Sequence, residues 1–518
     1  MVGVVILPEQ IFEKIKKSIL PQWKVCFVSA IMMGLIAHLY KMINWLPNWD
    51  SLVFRHDAQN MIELGRWFLP IACAPSSFFD LPWITGLLAI LFHALGAICI
   101  CKIFDVRKNT TAMLIGALIA SFPTVASVMM YNYVADGYAV SFLLACISAM
   151  YLAKDKPNFI VAVIAMALSV GIYQAYITVT IMLLLCYLIL QILYEDISIK
   201  ELVLKSVKFL SAGIAGMVVY YLVLIVILKT TGFELSQYQG FSDAASFSGL
   251  DIFASFYIIK NSFMEYFFDF SKGFTVFLAV NIAVFSITIF LYLTDVVRNR
   301  LSILKILFLI VCVCFLPVGA SVLALINSSI DYHNLMKMGF CVFYLFFILQ
   351  YEKSDYKSIK FNVAKLWTIL MLSFVLIANK AVIANISYHH LQMAFEKSYG
   401  VLIRIADRIE QIEEANNCEN VLVIGALAES EAYSLDISPD MTGATNGYIL
   451  RADDEKVGQS VLCSALNDYC GKEYAFISGD EKAKHMQNPE IKKMNIWPAK
   501  DSIKVIDNVV VIKLGNEE

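Results

Sequence analysis

"PWITGLLAILFHALGAICICKIF", residues 82–104, carries no charged side chain before Lys102. At about 1.5 Å of rise per residue, a helix of this length crosses the ~30 Å hydrocarbon core of a bilayer. Its lone histidine, His93, reads as a hydrogen-bonded core side chain. The same apolar pattern recurs at roughly 23–43, 111–131, 137–153, 158–173, 175–193, 206–228, 274–293, 304–326, 335–350 and 364–384. Composition agrees. The 518 residues are 59% hydrophobic and 16% charged, with mean hydropathy +0.69, whereas soluble globular chains carry about 25% charged residues. The expected fold is an α-helical polytopic membrane protein with about 11 transmembrane helices.

Net charge is −3 and no basic stripe carries interleaved stacking aromatics, so nucleic acid is not an expected partner. Of the 12 cysteines, most lie in apolar stretches as small hydrophobes. Cys99 and Cys101 lack ligand-spaced partners for zinc. The N-terminus lacks the features of a cleavable signal peptide, and residues 1–22 read as an amphipathic segment at the membrane surface. Lys and Arg concentrate in alternate loops: "EKIKKS", "DVRKN", "AKDKPN", "IKELVLKSVK", "VVRNRLSILK" and "EKSDYKSIKFNVAK". By the positive-inside rule these loops are cytoplasmic. The acid-rich 44–81 loop, the 229–273 loop, "NSSIDYHNLMK" (327–337) and the tail after about residue 385 then lie outside. Within the second of these, the aromatic segment 250–272 reads as an interfacial amphipathic helix. Pro123, Pro317 and Gly171 fall inside spans and suit kinks.

The multi-span domain is expected over 23–400 and a small soluble α/β domain over 401–518. "ENVLVIGA" and "EYAFIS" read as strands, "KVGQSVLCSALNDYC" as a helix, and "SIKVIDNVVVIKLG" as a hairpin turning at Asp507–Asn508. No glycine-rich phosphate loop opens the helix, so nucleotide binding is not expected. A disulfide between Cys463 and Cys470 stays open if the domain is outside.

"NWDSLVFRHDAQNMIELGRWFLP", residues 48–70, crowds Asp50, Arg55, His56, Asp57, Glu63 and Arg66 between apolar stretches. It reads either as a solvated loop anchored by Trp45, Trp49 and Trp67 or as a stiff surface carrying a site. Asp136 in "VADGY" reads as the N-cap of a helix starting near Gly137 or as a functional carboxylate, and Asp80 poses the same choice. Tyr173 and Gln174, in "GIYQAY", serve packing or a site. Asp331, His333 and Lys337 are interfacial or together hold an anionic headgroup. All these groups fall on one side, at the ends of different helices, where ionisable residues are functional candidates by default. Acids beside cations at a lipid surface suit transfer of a sugar from a lipid phosphate to a hydroxyl. A carboxylate takes the acceptor's proton; cations or a metal stabilise the departing phosphate. A lipid-linked saccharide transporter would instead show charges lining a mid-membrane path and internal repeats; the span interiors are nearly free of ionisable residues apart from a few such as His38 and His93, and no repeat is seen. A polymerase or ligase using a pyrophosphate-linked donor would show more outer arginines than Arg55 and Arg66.

"NWDSLVFRHDAQNMIELGRWFLP…LPWITGLLA", "YNYVADGYAVSFLLACISAMYLA" and "SVGIYQAYITVTI" resemble the bacterial type II glucosyltransferase family that modifies O-antigen and other surface glycans. "IADRIEQIEE…NVLVIG" and "WPAKDSIKVIDNVVVIKL" resemble its C-terminal region, while 229–360 matches loosely. The resemblance implies a GT-C-like fold in the bacterial inner (plasma) membrane, with active site and C-terminal domain extracytoplasmic. It implies a polyprenyl-phosphate sugar donor, here undecaprenyl-phosphate glucose, made and delivered by a separate synthase and flippase, and a cell-surface glycan acceptor. The implied catalytic acid of the first outer loop falls on Asp50 or Asp57. Asp136 and Tyr138 match the family's "aD.y" stretch and Arg66 its "GRW". Arg55, His56, Tyr173 and Gln174 join the substrate-binding set, and Arg66, Lys337 and His333 are expected to hold the phosphate. A divalent metal such as magnesium or manganese would fall to Asp57 and Asp136.

Overall fold

The computed structural model describes residues 8–53, 61–77, 79–154, 157–236, 251–271, 275–328, 330–354, 360–427, 441–444, 447–451 and 455–516. Contacts divide the chain into two units. The first is Met1–Ile43 with Ala58–Asn385, the second Asn44–Asp57 with Ile386–Glu518.

The first unit begins with α1 (Pro8–Ser18) and α2 (Pro21–Ile43); α3 (Trp49–Val53) belongs to the second. There follow α4 (Leu69–Cys73), α5 (Pro82–Ile103), α6 (Asn109–Ser121), α7 (Pro123–Met130), α8 (Asn132–Leu152), α9 (Phe159–Ile172), α10 (Ile177–Tyr194) and α11 (Ile199–Thr231). Later helices are Ile252–Phe268, Val276–Arg298, Ile303–Ala320, Leu323–Ile326, Cys341–Glu352 and Lys360–Glu410. Among the described residues ten helical stretches are long and apolar enough to cross a membrane, and α9 is a shorter apolar one. Each apolar window of the sequence coincides with one of these eleven, so the chain is a polytopic helical membrane protein.

Local chemistry sets the helix ends. Phe122 is extended (φ −63°, ψ 139°) between α6 and α7, because the ring of Pro123 disfavours helical geometry in the residue before it. Pro317, by contrast, lies inside Ile303–Ala320 without ending it. Ser198 and Glu201 form a reciprocal capping box that starts α11, satisfying two amide donors that the first turn leaves unpaired.

Small residues let the spans approach closely. A Cβ on Gly116 of α6 would stand 2.2 Å from the carbonyl oxygen of Cys26 in α2. Ser141 and Ser169 each donate to the other's carbonyl at 2.8 Å, tying α8 to α9. The helix Ile252–Phe268 is capped by Asp251. Its face bearing Tyr266 and Phe267 is buried among Phe285, Phe340 and Phe343, while Ile252, Phe253 and Tyr257 are exposed.

The basic loops meet at one end of the bundle. The Arg107 and Lys108 amides donate to the Glu352 carboxylate at 2.9 and 3.3 Å, and the Lys108 ammonium to the Tyr351 carbonyl at 2.8 Å. At the same end Lys205 donates to Gln191 at 2.9 Å and Lys365 to Gln350 at 2.6 Å. The α9–α10 junction, with Tyr173, is therefore at the other end.

The second unit is built on a four-stranded sheet ordered β2-β1-β4-β3. The strands are β1 (Asn420–Ile424), β2 (Ala475–Phe476), β3 (Ile503–Ile506) and β4 (Val509–Lys513). β1 runs parallel to β2 and β4, with Val421 opposite Val510 and Val423 opposite Ile512. Alternation sends Val421, Val423, Val510 and Ile512 into one apolar cluster and Leu422, Ile424, Val509 and Val511 into another. A sheet covered on both faces needs this unbroken apolar run. β3 and β4 are antiparallel through Asp507 (φ 50°) and Asn508 (φ 61°), left-handed positions that suit a two-residue hairpin turn and that Asn and Asp tolerate. Cys463 is a free, buried thiol, not half of a disulfide.

Gly116→Val should drive α6 from α2 and, by overpacking, lower the free energy of unfolding by about 1–3 kcal/mol. Thermal melting of the detergent-purified chain checks this; an unchanged melting temperature would contradict it.

Candidate functional site

Gly65 sits in the left-handed region (φ 70°) and its amide closes the short turn Ile62–Leu64 on the Ile62 carbonyl at 2.8 Å. Glycine adopts that conformation without a Cβ penalty. The turn delivers Arg66 and Trp67 onto the end of α9. The Phe68 amide donates to the Gly171 carbonyl at 2.8 Å. Gln174 donates to the Leu64 carbonyl at 2.8 Å and the Tyr220 hydroxyl at 3.2 Å, and that hydroxyl donates to the Gly65 carbonyl at 3.2 Å. A Cβ on Gly171 would stand 2.8 Å from the Trp67 ring. Gly171 thus gives clearance near the end of α9, where the sequence suggested a kink.

So seated, Arg66 donates to the Tyr138 hydroxyl at 3.0 Å and its guanidinium lies 4.9 Å from the Tyr173 ring. The Tyr138 and Tyr173 rings stack at 4.6 Å with planes 6° apart. Tyr173 is extended (φ −154°, ψ 118°) because α9 ends at Ile172 and a 3-10 turn, Gln174–Tyr176, follows. Burial raises the Tyr173 hydroxyl well above the usual tyrosine range; Tyr138 adds to this and Arg66 opposes it. The hydroxyl therefore stays protonated. A cation over an aromatic face contributes about 0.5–2 kcal/mol, so the Tyr138 and Tyr173 rings help to hold Arg66 in place.

His333 and Lys337 stand within electrostatic reach. His333 is half-buried and its Nδ1 has no hydrogen-bond partner. Burial pushes its imidazole down to about 4; Asp331 opposes the shift, and Lys337 and Arg66 add to it. His333 is therefore neutral at physiological pH and would meet a phosphate as a hydrogen-bond donor rather than as a fixed charge. The folded chain binds this proton less readily than the unfolded one. Its contribution to stability is present above 6.5 and is lost as pH falls toward 4. Lys337 is buried at a kink in the 3-10 segment Asn334–Phe340, its ammonium 5.7 Å from the Tyr266 ring. The exposed carboxylates that act on it are Glu265 and Asp331.

The structure thus gathers Arg66, Tyr138, Tyr173, Gln174, His333 and Lys337. Asp136 is turned elsewhere. Helix α8 begins at Asn132, so Asp136 lies inside it and is not its N-cap. It is fully buried beside Ser76 and Cys73, and stands about 200° around the helix from Tyr138. Asp80 is buried and acts on Lys41; the N-cap position of α5 is Leu81, with no side-chain cap. Asp50 is half-buried on α3 in the second unit. Arg55, His56 and Asp57 lie outside the described residues. Among the described residues no three His, Cys, Asp or Glu side chains are grouped to hold a metal.

Sequence reading missed Tyr176, Tyr220 and Tyr266. Tyr176 is three residues from Tyr173 in "YQAY", with ring centroids 6.0 Å apart. Tyr220 and Tyr266 lie in apolar or aromatic runs with nothing local to mark them.

Beside the cluster opens a cavity of about 1200 Å³. Its lining is apolar along α9, α10, α11 and Ile303–Ala320, with Arg66, Tyr173 and Gln174 among the few polar groups. Leu210, Ile214 and Val218, on α11, are exposed along it. A site with an apolar trough and a cation beside it suits an amphiphile bearing an anionic head.

A family model described as glucosyl transferase GtrII matches residues 39–349. No curated protein and no solved structure matches the chain.

In nanodiscs, Arg66→Met should weaken binding of a polyprenyl phosphate by at least about tenfold, ~1.4 kcal/mol. His333→Asn should change it by less than about threefold, and any pH dependence between about 5 and 7 should follow the ligand phosphate's own second ionisation near 6 and be the same in wild type and His333→Asn. A wild-type midpoint near 6.5, the ordinary histidine value, that disappears in His333→Asn would show a cationic His333 after all.

Proposed function

The chain belongs to the GtrII glucosyl transferase family, and from that premise we propose that this membrane glucosyltransferase takes glucose from undecaprenyl-phosphate glucose and places it on a hydroxyl of a surface glycan. The proposed setting is the outer face of the bacterial plasma membrane, on the strength of the basic loops gathered at the opposite end of the bundle. The donor is an amphiphile: a long apolar chain, a phosphodiester carrying one negative charge, and a sugar. The observation that carries the reading is the Arg66–Tyr138–Tyr173 cluster with Lys337 nearby, beside an apolar cavity of about 1200 Å³.

The acceptor oxygen attacks the anomeric carbon from the face opposite the phosphate. The new carbon–oxygen bond forms as the bond to the phosphate oxygen breaks, and that oxygen leaves with the electron pair. Charge on the leaving phosphate rises in the transition state, where fixed cations act most strongly; Arg66 and Lys337 fill that role. The acceptor's proton passes to a carboxylate of the first outer loop, Asp50 or Asp57. One displacement inverts the centre, so a β-linked donor yields an α-glucoside. Neutral His333 is free to exchange a hydrogen bond with a hydroxyl rather than pair with charge.

The test is transfer of labelled glucose from undecaprenyl-phosphate glucose to the host's surface glycan in membranes, for wild type, Asp50→Asn and Asp57→Asn, with and without a chelator. Wild type should transfer, and one asparagine variant should lose at least about a hundredfold in rate, the scale of general-base catalysis. Loss on chelation would add a metal to the scheme. No transfer by wild type from any polyprenyl-phosphate sugar would overturn the reading.

A further inference from the structure

The helix that carries Asp50 is part of the second unit. Residues 44–57 group with Ile386–Glu518, and α3 packs on the helix Glu455–Cys470. Leu52 is buried in the core with Ala394, Leu402 and Leu462. Trp45 meets the Phe395 ring edge-on at 6.0 Å. Asn48 caps α3, its side-chain oxygen accepting the Ser51 amide at 2.8 Å. A helix of five residues is far too short to persist unaided, so its direction is set by what it packs against.

One contact is made by the residue next to Asp50 in α3. The Arg451 guanidinium carbon lies 3.4 Å from the centre of the Trp49 ring, and Trp49 precedes Asp50. Arg451 is itself firmly seated. Its carbonyl would be 2.8 Å from a Cβ on Gly458, in the first turn of Glu455–Cys470. Just before it, the Leu450 carbonyl accepts the Leu427 amide at 2.8 Å, and the Ile449 amide donates to Ser398 at 3.0 Å.

We propose that Arg451 is a positioning residue for Asp50: by stacking on Trp49 it fixes the orientation of α3 and so the direction of the carboxylate. The C-terminal unit is then the mount of an acid that belongs, by sequence, to the first outer loop. This rests on the reading of Asp50 as the general base. A planar guanidinium stacks on indole as an ammonium cannot, so lysine should restore the position only in part.

The experiment measures glucose transfer by the full chain in nanodiscs for Arg451→Ala, Arg451→Lys, Asp50→Asn and Arg451→Ala/Asp50→Asn, each with its melting temperature. Arg451→Ala should lower kcat by about tenfold or more, with donor KM within about threefold and an unchanged melting temperature. Arg451→Lys should fall between. In the Asp50→Asn background Arg451→Ala should cost nothing further, because the two residues act as one unit. If Arg451→Ala does not fold, Trp49→Leu removes the same stack and is read the same way. An inactive Asp50→Asn beside a fully active Arg451→Ala would overturn the positioning role and leave the base intact. A fully active Asp50→Asn would overturn both.

Discussion

A guanidinium at the edge of a hydrocarbon slab has to be held by something other than water. Here Arg66 lies over Tyr173 and donates to Tyr138, whose ring stacks on Tyr173 in turn. Much of the neighbouring architecture serves that placement. The left-handed Gly65, the clearance at Gly171 and the Gln174–Tyr220–Gly65 hydrogen bonds all fix the turn from which Arg66 projects. Breaking α9 at Tyr173 frees that side chain from the helical register to form the platform.

The membrane architecture was legible because hydrocarbon imposes a length and a composition that few other environments impose. Even α9, nearly continuous with α10, was visible as an apolar run, and the Asp507–Asn508 hairpin announced itself by its turn residues. The candidate site was legible only as a set of loops. Alternation of basic and non-basic loops placed Arg66, Tyr173, His333 and Lys337 at one end, and the fold draws these four into one neighbourhood. Orientation within that end was not readable. Asp136 and Tyr138 are two residues apart, yet helical geometry sends one to α4 and the other to Arg66. The protonation of His333 was equally hidden, since it depends on burial and on Arg66, distant in sequence, as well as on Lys337.

Asp50 and Arg66 of "NWDSLVFRHDAQNMIELGRW" part company in the fold. Asp50 belongs to the unit built around the sheet, whereas Arg66 belongs to the helical bundle. Residues near in sequence share an environment when one element carries them; here Asp50 lies on α3 (Trp49–Val53), whereas Arg66 follows the separate turn Ile62–Leu64. That division gives the C-terminal unit a structural claim on the first loop, which composition alone assigned to the membrane domain. It also explains why the C-terminal unit's fold matters to Asp50.

The central claim is that the apolar cavity and Arg66 together receive a lipid phosphate. Photo-crosslinking tests it most directly, using a polyprenyl phosphate with a diazirine in its chain and the purified protein in nanodiscs, with adducts mapped by mass spectrometry. The account predicts adducts on α10, α11 and Ile303–Ala320, competed away by unlabelled polyprenyl phosphate and lost in Arg66→Met. Adducts spread evenly over lipid-facing helices, or unchanged in Arg66→Met, would contradict it.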